Sequence, residues 1–217
     1  SGERSFELTS MPKALLDFTA DLFKVEKVEF KPASGKRNVL FMPSAASVLL
    51  SRVRSGASGQ SLQQNVTPLV GKIGDKIFSG KLTLKDDPLE DSLPGARFAD
   101  DEGVPCSEFS LFEKGVFKGF YFDLNYGAKR GFASTGHGFR HSAWGADPVT
   151  LKPQPCLTHL RFEAGERSFE ELLKEMGNGI VVLGALGVHT GNIPNGDFSI
   201  GLSPGLCVEN GRIVGRA

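Results

Sequence analysis

Apolar residues recur along this chain with two periods, and the mixture already narrows the fold. Leu15, Phe18 and Leu22 stand at helical spacing behind Ser10, a capping residue, and Pro12, which predicts a helix within Glu3–Leu22. Ala46, Leu49, Leu50 and Val53 repeat the pattern behind Pro43, and the Ser/Gly/Ala stretch Ser55–Gly59 should end that second helix. The clearest helix starts at Ser168. Ser168 and Glu171 have capping-box spacing, Phe169, Leu172, Leu173 and Met176 form one stripe, and Gly177 and Gly179 stop it.

The second period is that of strands. Lys24–Phe30, with Val28 and Phe30 on one face, and the apolar run Asn38–Met42 predict two of them. Lys81–Lys85 alternates, Cys156–Phe162 reads as another, and Ile180–Leu183 has the length of a buried strand. Ser107–Glu113 and Val116–Asp123 flank Lys114-Gly115, which predicts a hairpin. Asp197–Leu202 alternates, and Leu206–Glu209 meets Ile213–Val214 through Asn210-Gly211, the preferred pair of a type I′ turn. Strands and helices mix without strict alternation, so the expected class is α+β, with largely antiparallel sheets, several packed helices and hairpins.

Composition refines this picture. The 27 glycines and 12 prolines of the 217 residues exceed average usage and imply many tight turns. With 25 basic and 25 acidic side chains the chain is neutral, which argues against direct nucleic-acid binding, because affinity for a polyanion rests on many Lys and Arg contacts. Two segments depart from neutrality: 85–102 has seven acids against two bases, and 24–54 seven bases against two acids. Such runs are either solvated faces or halves of an interface. No apolar run is long enough to span a membrane. Cys106, Cys156 and Cys207 are sparse, odd in number and without a CxxC pair, which fits reduced thiols and a cytoplasmic location.

Chemistry is harder to find. His137 and His141 have the i, i+4 spacing of a zinc-binding helix, but Gly138 stands where a peptidase needs its general base, and Ser134-Thr-Gly-His-Gly-Phe is a poor helix. No phosphate-cradling glycine motif occurs. The long polar loop Gly131–Ala146 is the most function-like segment, with Ser134, Thr135, Gly136 and Arg140 as candidates for gripping a peptide carbonyl or carboxylate. A plain surface excursion is the other reading.

Five blocks in order change the picture. Asp100-Asp101-Glu102-Gly103-Val104-Pro105 is followed by Leu111-Phe112-Glu113-Lys114-Gly115-Val116-Phe117-Lys118-Gly119. Ser134-Thr135-Gly136 with Arg140 comes next, then Gly196-Asp197-Phe198-Ser199-Ile200-Gly201 and Val208-Glu209-Asn210-Gly211. Together they resemble the TldD/PmbA family, also labelled modulators of DNA gyrase. The resemblance implies an intracellular peptidase system of two related subunits. TldD carries zinc on an HExxxH helix with a later cysteine ligand; PmbA, or TldE, shares the fold without those ligands.

The helix that the resemblance assigns to the metal motif is Pro43–Arg54, which has neither His nor Glu. The chain therefore resembles the PmbA/TldE branch. That implies residues 1–217 as a single C-terminal-type domain, without the family's N-terminal half and last strand. It implies no cofactor of its own, zinc being expected in a TldD-type partner, and no catalytic residue. It also implies association with that partner or with itself, and an extended peptide as substrate, held by Ser134, Thr135, Gly136 and Arg140. His137 stands where the family commonly has Asn. Two alternatives remain: a zinc peptidase using His137 and His141, and a gyrase- or protein-interaction module.

Overall fold

The computed structural model describes residues 34–142 and 145–216 with a few positions between 17 and 25. The helix expected within Glu3–Leu22 and the strand expected at Lys24–Phe30 lie largely outside the described residues. In chain order the elements are β1 (Asn38–Phe41), α1 (Ser47–Gly56), α2 (Gly59–Gln64), β2 (Leu84–Asp86), β3 (Phe109–Glu113), β4 (Val116–Phe117), α3 (Leu124–Arg130) and β5 (Gly138–Phe139). Then come β6 (Gln154–Pro155), β7 (Leu160–Phe162), α4 (Phe169–Met176), β8 (Gly179–Val182), β9 (Ala185–Leu186), β10 (Gly201–Leu202), β11 (Gly205–Glu209) and β12 (Arg212–Arg216). The class is α+β with mixed, largely antiparallel sheets, as the patterning predicted. Contacts divide the described residues into two compact units, one of residues 50–165 with 192–197, the other of 34–49, 166–191 and 198–216.

The first unit holds an antiparallel sheet in the order β4-β3-β2-β7. Its β3–β4 hairpin turns on Lys114 and Gly115, whose φ angles of 47° and 81° are the positive pair that a type I′ turn needs. Gly115 is required twice over, since a Cβ there would also collide with the Phe78 carbonyl oxygen. Strand β4 stops at Phe117, short of the expected Asp123, because the chain leaves the ladder to pair elsewhere. Gly59 N donates to Tyr121 O and Tyr121 N to Ala57 O. Phe120, Tyr121 and Phe122 thereby turn inward beside Leu84, Leu111, Phe112 and Phe117 and form the core. The expected strand at 81–85 lies later, at β2, and the one at 156–162 forms only over its last three residues, as β7, with β6 just before it.

Helix α2 was not expected, having one buried leucine, Leu62, and too few residues to show a stripe. A local device makes it: the Ser58 hydroxyl accepts from Ser61 N at 3.1 Å, and Asn65 closes it in the left-handed region.

The second unit is built on a sheet in the order β1-β8-β11-β12. β1 runs parallel to β8, whereas β11 is antiparallel to both β8 and β12. A parallel pair needs a crossover connection. Here that connection is residues 42–178, which carry almost all of the first unit. Val181, Leu206 and Val208 pack with Leu173 of α4. Both capping-box bonds are made, Glu171 N to Ser168 Oγ at 3.2 Å and Ser168 N to Glu171 Oε2 at 2.8 Å. The β11–β12 turn has Asn210 and Gly211 at φ 50° and 73°, as predicted. β1 is the strand expected at Asn38–Met42, and it is half-exposed because it lies at the sheet edge.

The face of α1 also differs from the predicted stripe. Val48, Arg52 and Gly56 are buried, whereas Ala46, Leu49, Leu50 and Val53 flank them half-buried. A polarity pattern hides a buried arginine, since it scores the residue as polar.

Gly115→Ala and Gly131→Ala separate crowding from backbone strain, because Gly131 has a φ of 74° with open space around it. Urea melts should give a loss of about 1 kcal/mol for Gly131→Ala and at least ~2 kcal/mol for Gly115→Ala. Equal losses would mean that the Phe78 backbone yields.

Candidate functional site

One buried carboxylate organises the loop that sequence patterning singled out. Asp100 Oδ1 accepts from Glu102 N at 3.0 Å and Val104 N at 2.9 Å, folding Asp100–Pro105 into a tight turn with Gly103 at φ 81°. Asp100 Oδ2 accepts from Gly138 N at 2.8 Å, joining that turn to a segment 38 residues away. Asp101 reinforces the junction: its N donates to Gly138 O at 2.9 Å, and its Oδ2 accepts from Arg140 N at 2.7 Å. The glycines permit the close approach. A Cβ at Gly136 would strike the Pro105 carbonyl oxygen, and one at Gly138 the Glu102 carboxylate.

Glu102 and Asp123 sit where α3 begins. Glu102 Oε2 accepts from Leu124 N at 2.7 Å, and Asp123 Oδ1 from Tyr126 N at 2.6 Å. Burial, above all, pushes both carboxyls above the usual carboxylate range.

Three of the four candidate peptide-contact residues spend their polar groups inside this junction. Ser134 Oγ donates to Phe122 O at 3.2 Å and accepts from Gly136 N at 3.2 Å. Thr135 Oγ1 accepts from Phe122 N at 2.8 Å and lies 2.9 Å from His137 Nδ1. Gly136 is buried. Arg140 is held by its backbone and leaves its side chain exposed.

His137 is fully buried, packed edge-on against Phe109 and tilted against Tyr121. Its Nε2 lies 3.5 Å from Oδ2 of Asp86, which is also fully buried. Asp86 Oδ1 accepts from His159 N at 2.7 Å. Thr135 Oγ1 has two acceptors within reach, Phe122 O at 3.2 Å and His137 Nδ1 at 2.9 Å, for its one hydrogen, and His137 Nε2 makes no hydrogen bond among the described residues. His141, by contrast, is exposed. The structure thus puts the two histidines in different environments, one in the core and one on the surface. Among the described residues no group of three His, Cys, Asp or Glu side chains is arranged to hold a metal ion.

The thiols are poor nucleophiles. Burial pushes Cys106 up to about 11 and raises Cys156 and Cys207. The acidic run finds cations nearby: Arg161 bridges Asp87 and Glu90, and Arg97 pairs with Asp101. Patterning missed the partners of Asp100, because contacts 38 residues apart leave no periodic trace.

Arg140 and His141 line an open pocket of about 290 Å³ with Arg54, Arg97, Cys156 and His159. An α+β domain whose acidic turn locks a glycine-rich loop is the class that fold and site define. The family model of the PmbA/TldA metallopeptidase C-terminal domain matches residues 34–217, and the chain belongs to that family. TldE of Thermococcus kodakarensis superposes with a TM-score of 0.77 at 30% identity, over 94% of this chain and 45% of that one. A Thermotoga maritima protein whose crystal structure carries the gyrase-modulator name gives 0.77 at 32% identity, over 98% and 47%. The Haemophilus influenzae PmbA homologue is 30% identical over 176 residues, 81% of this chain and 35% of its own length. The chain thus spans less than half the length of these relatives.

His137→Ala should cost about 3 kcal/mol or more by chemical denaturation, because it leaves a cavity beside a buried carboxylate. His141→Ala should stay within about 0.5 kcal/mol. Glu102→Gln tests the buried carboxyl. A raised folded-state pKa means that ionisation of Glu102 costs stability as pH rises from the unfolded value, 4.5, through the folded one. The variant should match the parent in acid and exceed it at neutral pH.

Proposed function

We propose that this chain is part of a metal-free PmbA/TldE-like subunit of an intracellular TldD/TldE-type peptidase system. It helps hold an extended peptide and completes the complex, with a TldD-type metallopeptidase subunit, or a second copy of itself, as partner. The observation that carries this reading is α1. Ser47–Gly56 holds neither His nor Glu, and the side chains it buries are those of Val48 and Arg52. An aliphatic side chain cannot ligate zinc, and a guanidinium is permanently cationic and repels it. These residues do not fit the metal that the family implies, so no step is assigned to a metal in this chain.

The relatives' printed names, TldE for one solved structure and metalloprotease PmbA homologue for a curated relative, support the same branch. Within it, the Ser134–Gly136 segment acts as a rigid support and Arg140 as the group turned outward. An extended peptide added at a sheet edge would be held through main-chain hydrogen bonds with little sequence preference.

Elemental mass spectrometry after dialysis without chelator should find less than about a tenth of an equivalent of zinc. Cleavage of an unstructured peptide should require addition of a TldD-type subunit. Close to one equivalent of zinc, lost on His137 or His141 replacement, would overturn the reading in favour of the active-peptidase alternative.

A further inference from the structure

The pocket beside Arg140 has an electrostatic character that the proposed role does not by itself require. Four segments of the first unit converge on it: the end of α1 with Arg54, the loop carrying Pro94 and Arg97, the 139–141 segment, and the 156–159 segment. Its one acidic lining residue, Asp101, is already paired with Arg97 at 3.0 Å, and Arg97 also lies over the Phe139 ring at 5.1 Å. Arg54 and Arg140 have no ion-pair partner among the described residues, while the other lining arginine does. The ring of His159 is committed, its two nitrogens lying 2.9 Å from Asp87 O and Pro94 O.

Both free guanidinium groups stand on fixed backbone. Tyr121 Oη donates to Arg54 O at 2.8 Å, and Arg140 N donates to Asp101 Oδ2 at 2.7 Å. Phe139 and Leu157 supply apolar wall beside them. Two planar five-donor groups, held over an apolar wall with no anion of their own, match a carboxylate better than an amide or a cation.

We propose that this pocket is a subsite for a carboxylate of the bound peptide, gripped by Arg54 and Arg140 with His141 at its rim. The inference rests on the peptide-holding role proposed above and adds a chemical preference to it. Two sources carry that chemistry, the C-terminal carboxylate of a peptide and an acidic side chain.

The test measures binding to the full chain by fluorescence anisotropy with three short labelled peptides built on one uncharged core sequence. One ends in a free carboxylate, the second is its C-terminal amide, and the third is the amide with Glu as last residue. The free acid should bind about 10-fold or more tightly than the amide, with the difference shrinking as salt rises. Arg140→Ala and Arg54→Ala should each erase most of that difference. Arg140→Gln is the check should truncation disturb folding, which a thermal melt reads directly. A Glu-terminated amide as tight as the acid assigns the site to any carboxylate, and a weaker one assigns it to the peptide C-terminus. Equal binding of acid and plain amide overturns the subsite and leaves the peptide-holding role standing. Failure of all three peptides to bind overturns both.

Discussion

The first unit depends on the three backbone N–H groups that the Asp100 carboxylate accepts. Two shape its own turn, through Glu102 and Val104, and the third belongs to Gly138. A buried carboxylate left without donors is expensive, and three N–H bonds satisfy most of its lone-pair sites. Breaking the Gly138 bond leaves a buried N–H unmet and the carboxylate one donor short, so the turn and the distant loop form together. The glycines at 136 and 138 follow from this contact, since the backbones meet too closely for a Cβ.

That closeness explains why the loop looked functional. Its serine, threonine and glycines have the composition of a binding loop, yet Ser134 and Thr135 terminate the Phe122 backbone and position a buried imidazole. Polar side chains were needed because the segment carries little regular ladder of its own; β5 is two residues long. Backbone groups without ladder partners must find side chains or water. With those polar groups consumed internally, the outward chemistry falls to Arg140 and the residues around its pocket.

Belonging to a metallopeptidase family and offering donors for a metal are separate matters. The family is carried by glycine turns and by the acidic turn, which are structural devices. In the function proposed above, metal chemistry in this chain would need donors on α1, and Val48 and Arg52 are its buried side chains. A fold can be retained while the site grafted on it changes. The relatives named above are more than twice as long as this chain.

Local chemistry was legible wherever a few neighbouring residues suffice. The capping box at Ser168 and Glu171, the hairpin turn at Lys114-Gly115 and the type I′ turn at Asn210-Gly211 need no distant partner, and each formed as read. The α+β class followed from the two apolar periods. Short-range pattern failed for α2, where one leucine cannot declare a face, and for β1 it found the strand but not its half-exposed place at a sheet edge. It also failed for α1, whose buried face includes Arg52. Tertiary structure alone decided which polar residues are scaffold and which are surface. It buried His137 against Asp86, left His141 exposed, and brought Arg54 to Arg140 across some eighty residues of chain. The reason is physical. A turn or a cap is settled by bonds within one or two turns of backbone, whereas burial and pairing of charge depend on contacts that exist only once the chain has closed on itself.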